Sequence, residues 1–348
     1  MSAIIARMVA SRLFWPIVML LVLFAINLIA FPGFFSITVR DGHLFGSLID
    51  ILRNGAPTLI IAVGMTLVIA TRGIDLSVGA VAAISGAVAC AIILGSPTPG
   101  SIATVAVAVT VAIAISLVLG VWNGFLVAVI GIQPIIATLI LMTAGRGVAM
   151  LITEGQILTV NSPPFKAFGS GFWLGLPIAT IIAAVIFAAA ALITRRTALG
   201  MLIESVGINP EASRQAGVRA RGLLFTVYTF CAVCAAIAGL ILTANTAAAD
   251  ANNTGLFIEL DAILAVVIGG TSLAGGRYSL TGTLVGALVI QTLVTTVYTV
   301  GIPPIATMVF KAAVVIIVCL LQSPTTNAAL ASFRRSLAVR AGKGAAAS

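Results

Sequence analysis

The chain has 348 residues, 61% hydrophobic and only 8% charged, with a formal net charge of +9. A water-soluble domain carries roughly 25% charged residues, so this composition excludes a solvated globule and reads as an integral membrane protein. The basic excess does not point to nucleic acid, because the arginines and lysines flank apolar runs, as residues retained on one side of a bilayer do.

In chain order, apolar spans fall near 14–32, 56–71, 76–94, 101–130, 135–152, 172–193, 222–243, 260–275, 280–299 and 304–321. Continuous apolar character predicts helices, not the alternating strands of a barrel. The first span follows Arg7 and Arg12 and resembles a signal peptide, yet it is long and ends in no small-residue cleavage site, which predicts an uncleaved helix. The expected fold is an all-α membrane protein: a polytopic helical bundle of about ten transmembrane helices, or eight if two weak spans do not cross. Cys90, Cys231, Cys234 and Cys319 all lie in apolar spans. Cys231 and Cys234 form a CxxC with no histidine near, so small core residues are expected and no metal site.

Charge sets the predicted sidedness. With the N-terminus inside, Arg7, Arg12, Arg72, the arginines of the stretch 194–222, Arg277, Arg334, Arg335, Arg340 and Lys343 fall inside. Only Arg40, Arg53 and Lys166 fall outside, a strong positive-inside bias. Most acids (Asp41, Asp50, Glu154, Asp250, Glu259 and Asp261) fall outside. An even number of crossings returns the basic tail 322–348 to the inside.

Two spans are broken. TRGIDLSVG at 71–79 sets Arg72, Gly73, Asp75 and Ser77 between two apolar runs with almost no loop. IGGTSLAGGRYSLTGT at 268–283 is glycine-rich and contains Arg277. Such breaks at corresponding points of two pseudo-repeated halves point to discontinuous helices lining a pathway. The alternative is a tight inside turn with Arg72 and Asp75 paired at headgroup level, and for Arg277 the turn is preferred. Small residues four apart (Gly120 with Gly124, Gly282 with Gly286, Gly79 with Ala83) predict close helix contacts.

The stretch 194–222 is the one long polar interruption, with Arg195, Arg196, Arg214, Arg219 and Arg221. Within it Asn209 suits an N-cap, Pro210 the first helical position, and Glu211 the positive helix end. Gly217 suits the left-handed residue after the helix. A helix from Pro210 to Ala216 is too short to stand alone. Its small face, Ala212 and Ala216, suits insertion into a partner's groove. An ordinary capped connector between spans is the other reading.

GIDLSVGA at 73–80, ALGMLIESVGINPEASRQAGV at 198–218 and the GG–SLAGGR pattern at 269–277 resemble the permease subunits of ribose-type bacterial sugar ABC importers. The resemblance covers essentially the whole chain. GMTLVIATRGIDLSVGAV, IQPIIATLILM and DANNTGLFIELDAILAVVIGG are most similar to the galactofuranose permeases of that family. It implies one permease domain over 1–348, in a bacterial inner membrane with both termini cytoplasmic. It also implies that Gly207, Asn209, Glu211, Ala212 and Gly217 belong to a coupling helix seated in a cleft of an ATP-binding subunit. A periplasmic sugar-binding protein, a second permease copy or homologous permease, and a monosaccharide substrate complete the implied partners. The chain has no phosphate-cradling GxxxxGK[ST] loop, so ATP and its Mg are expected on the partner, with no cofactor in this chain and no enzyme activity of its own.

Polar residues in or near spans are few: Asn27, Trp122, Asn123, Gln133, Arg146, Asn245, Gln291 and Tyr298. The candidate pathway or gating residues are Arg72, Asp75, Ser77, Asn123, Gln133, Asn245, Glu259 and Asp261. For Asn123 an interhelical hydrogen bond is preferred over pathway lining. Gln133 is expected to cap the span that Pro134 opens. The segment 250–261 is an outer vestibule, a contact for the binding protein, or a solvated loop. Three rivals stand beside the importer, one of them a membrane scaffold that transports nothing and leaves the polar breaks unexplained. An ion-coupled carrier would use Arg72–Asp75 or Arg146–Glu154. A membrane enzyme would need clustered acids or histidines, and His43 is the single histidine.

Overall fold

The computed structural model describes residues 13–40, 42–303 and 306–322. The basic tail and the N-terminal Arg7 and Arg12 therefore lie outside the described residues. Helix α1 spans Phe14–Ala30, α2 Ser47–Ala70, α3 Val78–Gly95 and α4 Ile102–Phe125, the last extended by a π-helical turn, Leu126–Ile130. Then come α5 Pro134–Ile152, α6 Pro163–Ser170, α7 Ile178–Arg196, α8 Leu199–Ile208, α9 Pro210–Gln215 and α10 Ala220–Thr246. Helices α11 Ile258–Ile268, α12 Leu280–Thr299 and α13 Thr307–Gln322 complete the described chain.

Each of the ten predicted spans has a helix. Seven helices among the described residues (α2, α3, α4, α5, α7, α10 and α12) are long and apolar enough to cross a membrane. Helices α1, α11 and α13 are shorter. The protein is thus a polytopic helical bundle. Three boundaries moved for identifiable reasons. Helix α2 begins at Ser47, because Asp50 and Arg53 interrupt the apolar pattern without interrupting the helix. The span read from 172 opens instead with a hairpin pairing Phe172–Trp173 with Leu176–Pro177, turned through left-handed Leu174 and Gly175. Helix α11 stops at Ile268, where two glycines follow.

Helix α10 is the bundle's axis, about 40 Å long at 1.5 Å per residue, and it packs on α2, α3 and α4. Small residues set how close it comes. A Cβ on Gly239 would stand 2.1 Å from the Ala82 carbonyl oxygen, and one on Gly120 2.7 Å from the Ala232 Cβ. Cys231 and Cys234 are buried and unpaired on this helix, with Gly64 of α2 against Cys231. Helices α11 and α12 touch backbone to backbone, Gly286 lying against the Ala265 carbonyl. One end of the bundle gathers the breaks at 71–77 and 269–279 with α8 and α9. The other carries the pairing of Leu158–Thr159 with Ala248–Ala249 and the hairpin Thr38–Arg40 with His43–Phe45.

Candidate functional site

Helix α9 forms as its caps require. The Asn209 side-chain oxygen accepts from the backbone amides of Glu211 and Ala212, both at 3.1 Å, satisfying two of the donors a helix start leaves free. Pro210 occupies the first turn. At the other end Gly217 is left-handed at φ +85°, and its amide and that of Val218 close on the Arg214 and Ser213 carbonyls. Ser213 is buried and holds the helix inward, leaving Ala212 and Ala216 exposed. Glu211 and Arg214 pair at 2.6 Å. The Arg214 guanidinium holds the Glu211 carboxyl below its usual range, and the carboxylate holds the arginine's proton more firmly. Both groups are solvated, so the pair adds little stability.

Helix α9 is tied to the membrane bundle through the residues just before it. Gly207 is buried; a Cβ there would stand 1.8 Å from the Ala70 carbonyl oxygen and 2.6 Å from the Gly276 amide. The space is filled by a hydrogen bond from the Gly276 amide to the Ala70 carbonyl, 2.9 Å. Across this contact Arg72 donates from Nε to the Gly207 carbonyl at 2.5 Å and from a terminal nitrogen to the Ile208 carbonyl. Gly207 is therefore internal packing, whereas Ala212 is surface.

Asp75 points the other way. It is 1% exposed and accepts from the Ser77 amide at 2.9 Å and the Ser77 hydroxyl at 2.6 Å. Asn123 of α4 donates to the same hydroxyl at 2.9 Å. Thr138 of α5 accepts from the Leu76 amide and donates to the Ile74 carbonyl. The backbone of the unwound stretch thus bonds Thr138 of α5 and its own Asp75, the condition for irregular backbone inside a bundle. Among the described residues Arg72 and Asp75 form no ion pair. For Asn123 the interhelical bond is what the structure shows. Arg277 is exposed, as a turn requires.

At the opposite side of α3's start, Arg146 of α5 donates to the carbonyls of Ala251 and Thr254, at 3.0 and 2.7 Å. Glu259, 6% exposed, lies beside Gly79, where a Cβ would come within 2.5 Å of its carboxylate. Arg146 therefore pins the segment 250–257 as it enters the bundle toward α11. It is not joined to Glu154, which is exposed. Asp261 pairs with Lys311 of α13, on the wall of a groove of about 520 Å³ that also holds Phe257, Leu260 and Met308. Asn245 accepts from Arg53 at 3.1 Å. Gln133 sits at the N-cap position of α5, but its side chain makes no cap bond; glutamine is not among the short polar residues favoured there.

The eight candidate pathway residues thus separate. Asp75, Ser77 and Asn123 form one buried network, Arg72 turns to the α8–α9 junction, and Glu259 and Asp261 take different faces of α11. Arg146 and Lys311 carry contacts the sequence reading did not assign. The signal was present, since a charge inside a span must pair or face water, but their partners lie far along the chain.

A family model described as "Branched-chain amino acid transport system / permease component" matches residues 47–319. The galactofuranose transporter permease protein of Escherichia coli (strain K12) is 50% identical over 319 residues, 90% of this chain and 91% of its own. The fructose import permease protein of Bifidobacterium longum (strain NCC 2705) is 42% identical over 97% of this chain and 95% of its own. The ribose import permease protein of E. coli K12 is 38% identical over 88% of this chain and 92% of its own. No solved structure gives a significant match.

Proposed function

The chain belongs to this family of transport-system permeases, and we propose that it is the membrane-spanning subunit of an ATP-driven importer of a monosaccharide, galactofuranose or a close relative. The observation that carries the sugar is half-identity over nine-tenths of the chain to a galactofuranose permease, beside lower identity to fructose and ribose permeases. It is a single permease unit, 1–348, whose coupling loop lies at 194–222 and whose tail lies at 322–348. It carries no cofactor and hydrolyses nothing. ATP and Mg belong to a separate ATP-binding subunit, and a periplasmic binding protein delivers the sugar to a pair of permeases, two copies or this chain with a homologue.

Helix α9 supports the coupling role. It is a capped helix too short to be stable alone, held at one end of the bundle, with Ala212 and Ala216 exposed and small enough to enter a groove. Sidedness follows from charge: the end bearing Arg72, the 194–222 loop and Arg277 faces the cytoplasm, in a bacterial inner membrane with both termini inside. The pathway or gating candidates remain Arg72, Asp75, Ser77, Asn123, Gln133, Asn245, Glu259 and Asp261.

The test is uptake into right-side-out vesicles loaded with ATP, holding the chain with its cognate ATP-binding subunit, with the binding protein outside. Labelled galactose, fructose and ribose serve as probes. ATP-dependent uptake is expected. Uptake that persists without ATP and follows a proton gradient would sink the proposal in favour of an ion-coupled carrier.

A further inference from the structure

We infer that Arg72 is the positioning residue that transmits movement of helix α9 to the unwound segment 71–77; this rests on the coupling role proposed for α9. Three segments distant in sequence meet at this residue. The first is the end of α2, where the Arg72 amide closes on the Ile69 carbonyl at 2.9 Å and that of Gly73 on Val68 at 3.0 Å. Arg72 does this with φ +65°, a conformation uncommon for a side chain of its size. The second is the last turn of α8, whose Gly207 and Ile208 carbonyls take the guanidinium's hydrogen bonds. Carbonyls in a final helical turn lack intrahelical partners and carry the negative end of the helix dipole, so a forked cation is the chemically apt group. The third is the glycine turn: a Cβ on Gly275 would stand 2.4 Å from the Arg72 Cγ, while Gly276 bonds Ala70.

The connection runs on without a flexible gap. Ile208 is followed at once by Asn209, the residue that caps α9. On the other side, three residues after Arg72, Asp75 begins the Ser77–Asn123 network at the head of α3. Gly73 is packed under Tyr228 of α10, a Cβ there falling 2.4 Å from the phenolic oxygen. A tilt of α9 therefore pulls two carbonyls held by Arg72. Arg72 in turn pulls a segment clamped between α4, α5 and α10. Movement reaches the broken helix rather than dissipating in a loop.

The experiment uses the full complex in proteoliposomes, with Arg72→Lys and Arg72→Ala beside the wild type. The probe is whichever of labelled galactose, fructose or ribose the wild type imports. Lysine keeps the charge and loses the fork; alanine loses both. Co-purification of the ATP-binding subunit and sugar imported per ATP hydrolysed are both read. Both variants are expected to hold the ATP-binding subunit and hydrolyse ATP, with sugar imported per ATP falling several-fold. A purely structural residue would lower yield and leave that ratio intact. Wild-type stoichiometry in the lysine variant, or loss of the ATP-binding subunit from it, would overturn the inference, the second outcome placing Arg72 on the docking surface. A wild-type chain that fails to retain the ATP-binding subunit counts against the coupling role itself.

Discussion

The Lys311 ammonium stands 2.8 and 2.7 Å from the two carboxylate oxygens of Asp261, joining α13 to α11 beside an otherwise apolar groove. Each side chain is about one-fifth exposed. Removing one partner leaves a charge in a poorly solvated place, while removing both leaves none. Lys311→Met is expected to destabilise the protein by roughly 2 kcal/mol, between the limits for exposed and buried pairs. Lys311→Met with Asp261→Asn should recover most of that loss. Thermal unfolding of the single and double variants in detergent measures the difference, and equal losses in both would show that the pair carries no energy.

Arg146 gives a second expectation. Its bonds to the Ala251 and Thr254 carbonyls join α5 to the segment that leads into α11. Charged hydrogen bonds contribute about 1.5–3 kcal/mol each, so Arg146→Met should loosen residues 250–257 ahead of the bundle. Hydrogen exchange should rise in that segment and stay low in α10. Uniform exchange across both would mean that Arg146 holds the whole fold instead.

Those two contacts mark where the sequence stopped being legible. Apolar length revealed where ten helices lie among the described residues, seven of them long enough to cross a membrane, and small residues such as Gly286 announced close helix contacts that the structure places against Ala265. The caps of α9 were readable because they are local, Asn209 acting two and three residues ahead. Arg72 was misleading for the opposite reason. Asp75, three residues away, was its obvious partner, yet the guanidinium reaches Gly207, 135 residues on. Asp75 instead serves Ser77. No local pattern encodes such a choice, because it follows from how segments distant in sequence pack together. Asp50 and Arg53 hid the first turns of α2, since charge lowers hydropathy without breaking a helix.

Asp250 supplies a pH expectation outside the spans. Its carboxylate accepts from the Asn253 side chain at 2.7 Å and from the amides of Asn252 and Asn253 at 2.9 and 3.2 Å. The Asn253 bond is the main reason its pKa lies below the ordinary 3.8, and Arg146 adds a smaller pull. A depressed folded pKa means the turn's extra stability is fully present above that ordinary value. It is lost as pH falls through the lower, folded one. Protection of the Asn252 and Asn253 amides, corrected for intrinsic exchange, should therefore hold from neutral pH to about 4 and fall below it. Asp250→Asn should remove the dependence. A loss of protection near pH 6 would assign the effect to another group.

The Asn209 cap separates local helix stability from docking. Asn209→Ala removes the acceptor for two amides at the start of α9 and should cost about 1 kcal/mol, a large fraction of what so short a helix holds. Asn209→Asp keeps an oxygen in place and adds a negative charge at the positive helix end, so it should fold α9 at least as well. If α9 docks on an ATP-binding subunit, retention of that subunit should drop with alanine and return with aspartate, following helix content rather than residue identity. Ala212→Trp should abolish retention while leaving protection of α9 amides unchanged, because Ala212 is exposed and contributes no packing of its own. Unchanged retention in the tryptophan variant would remove α9 from the interface and leave it a capped connector between α8 and α10.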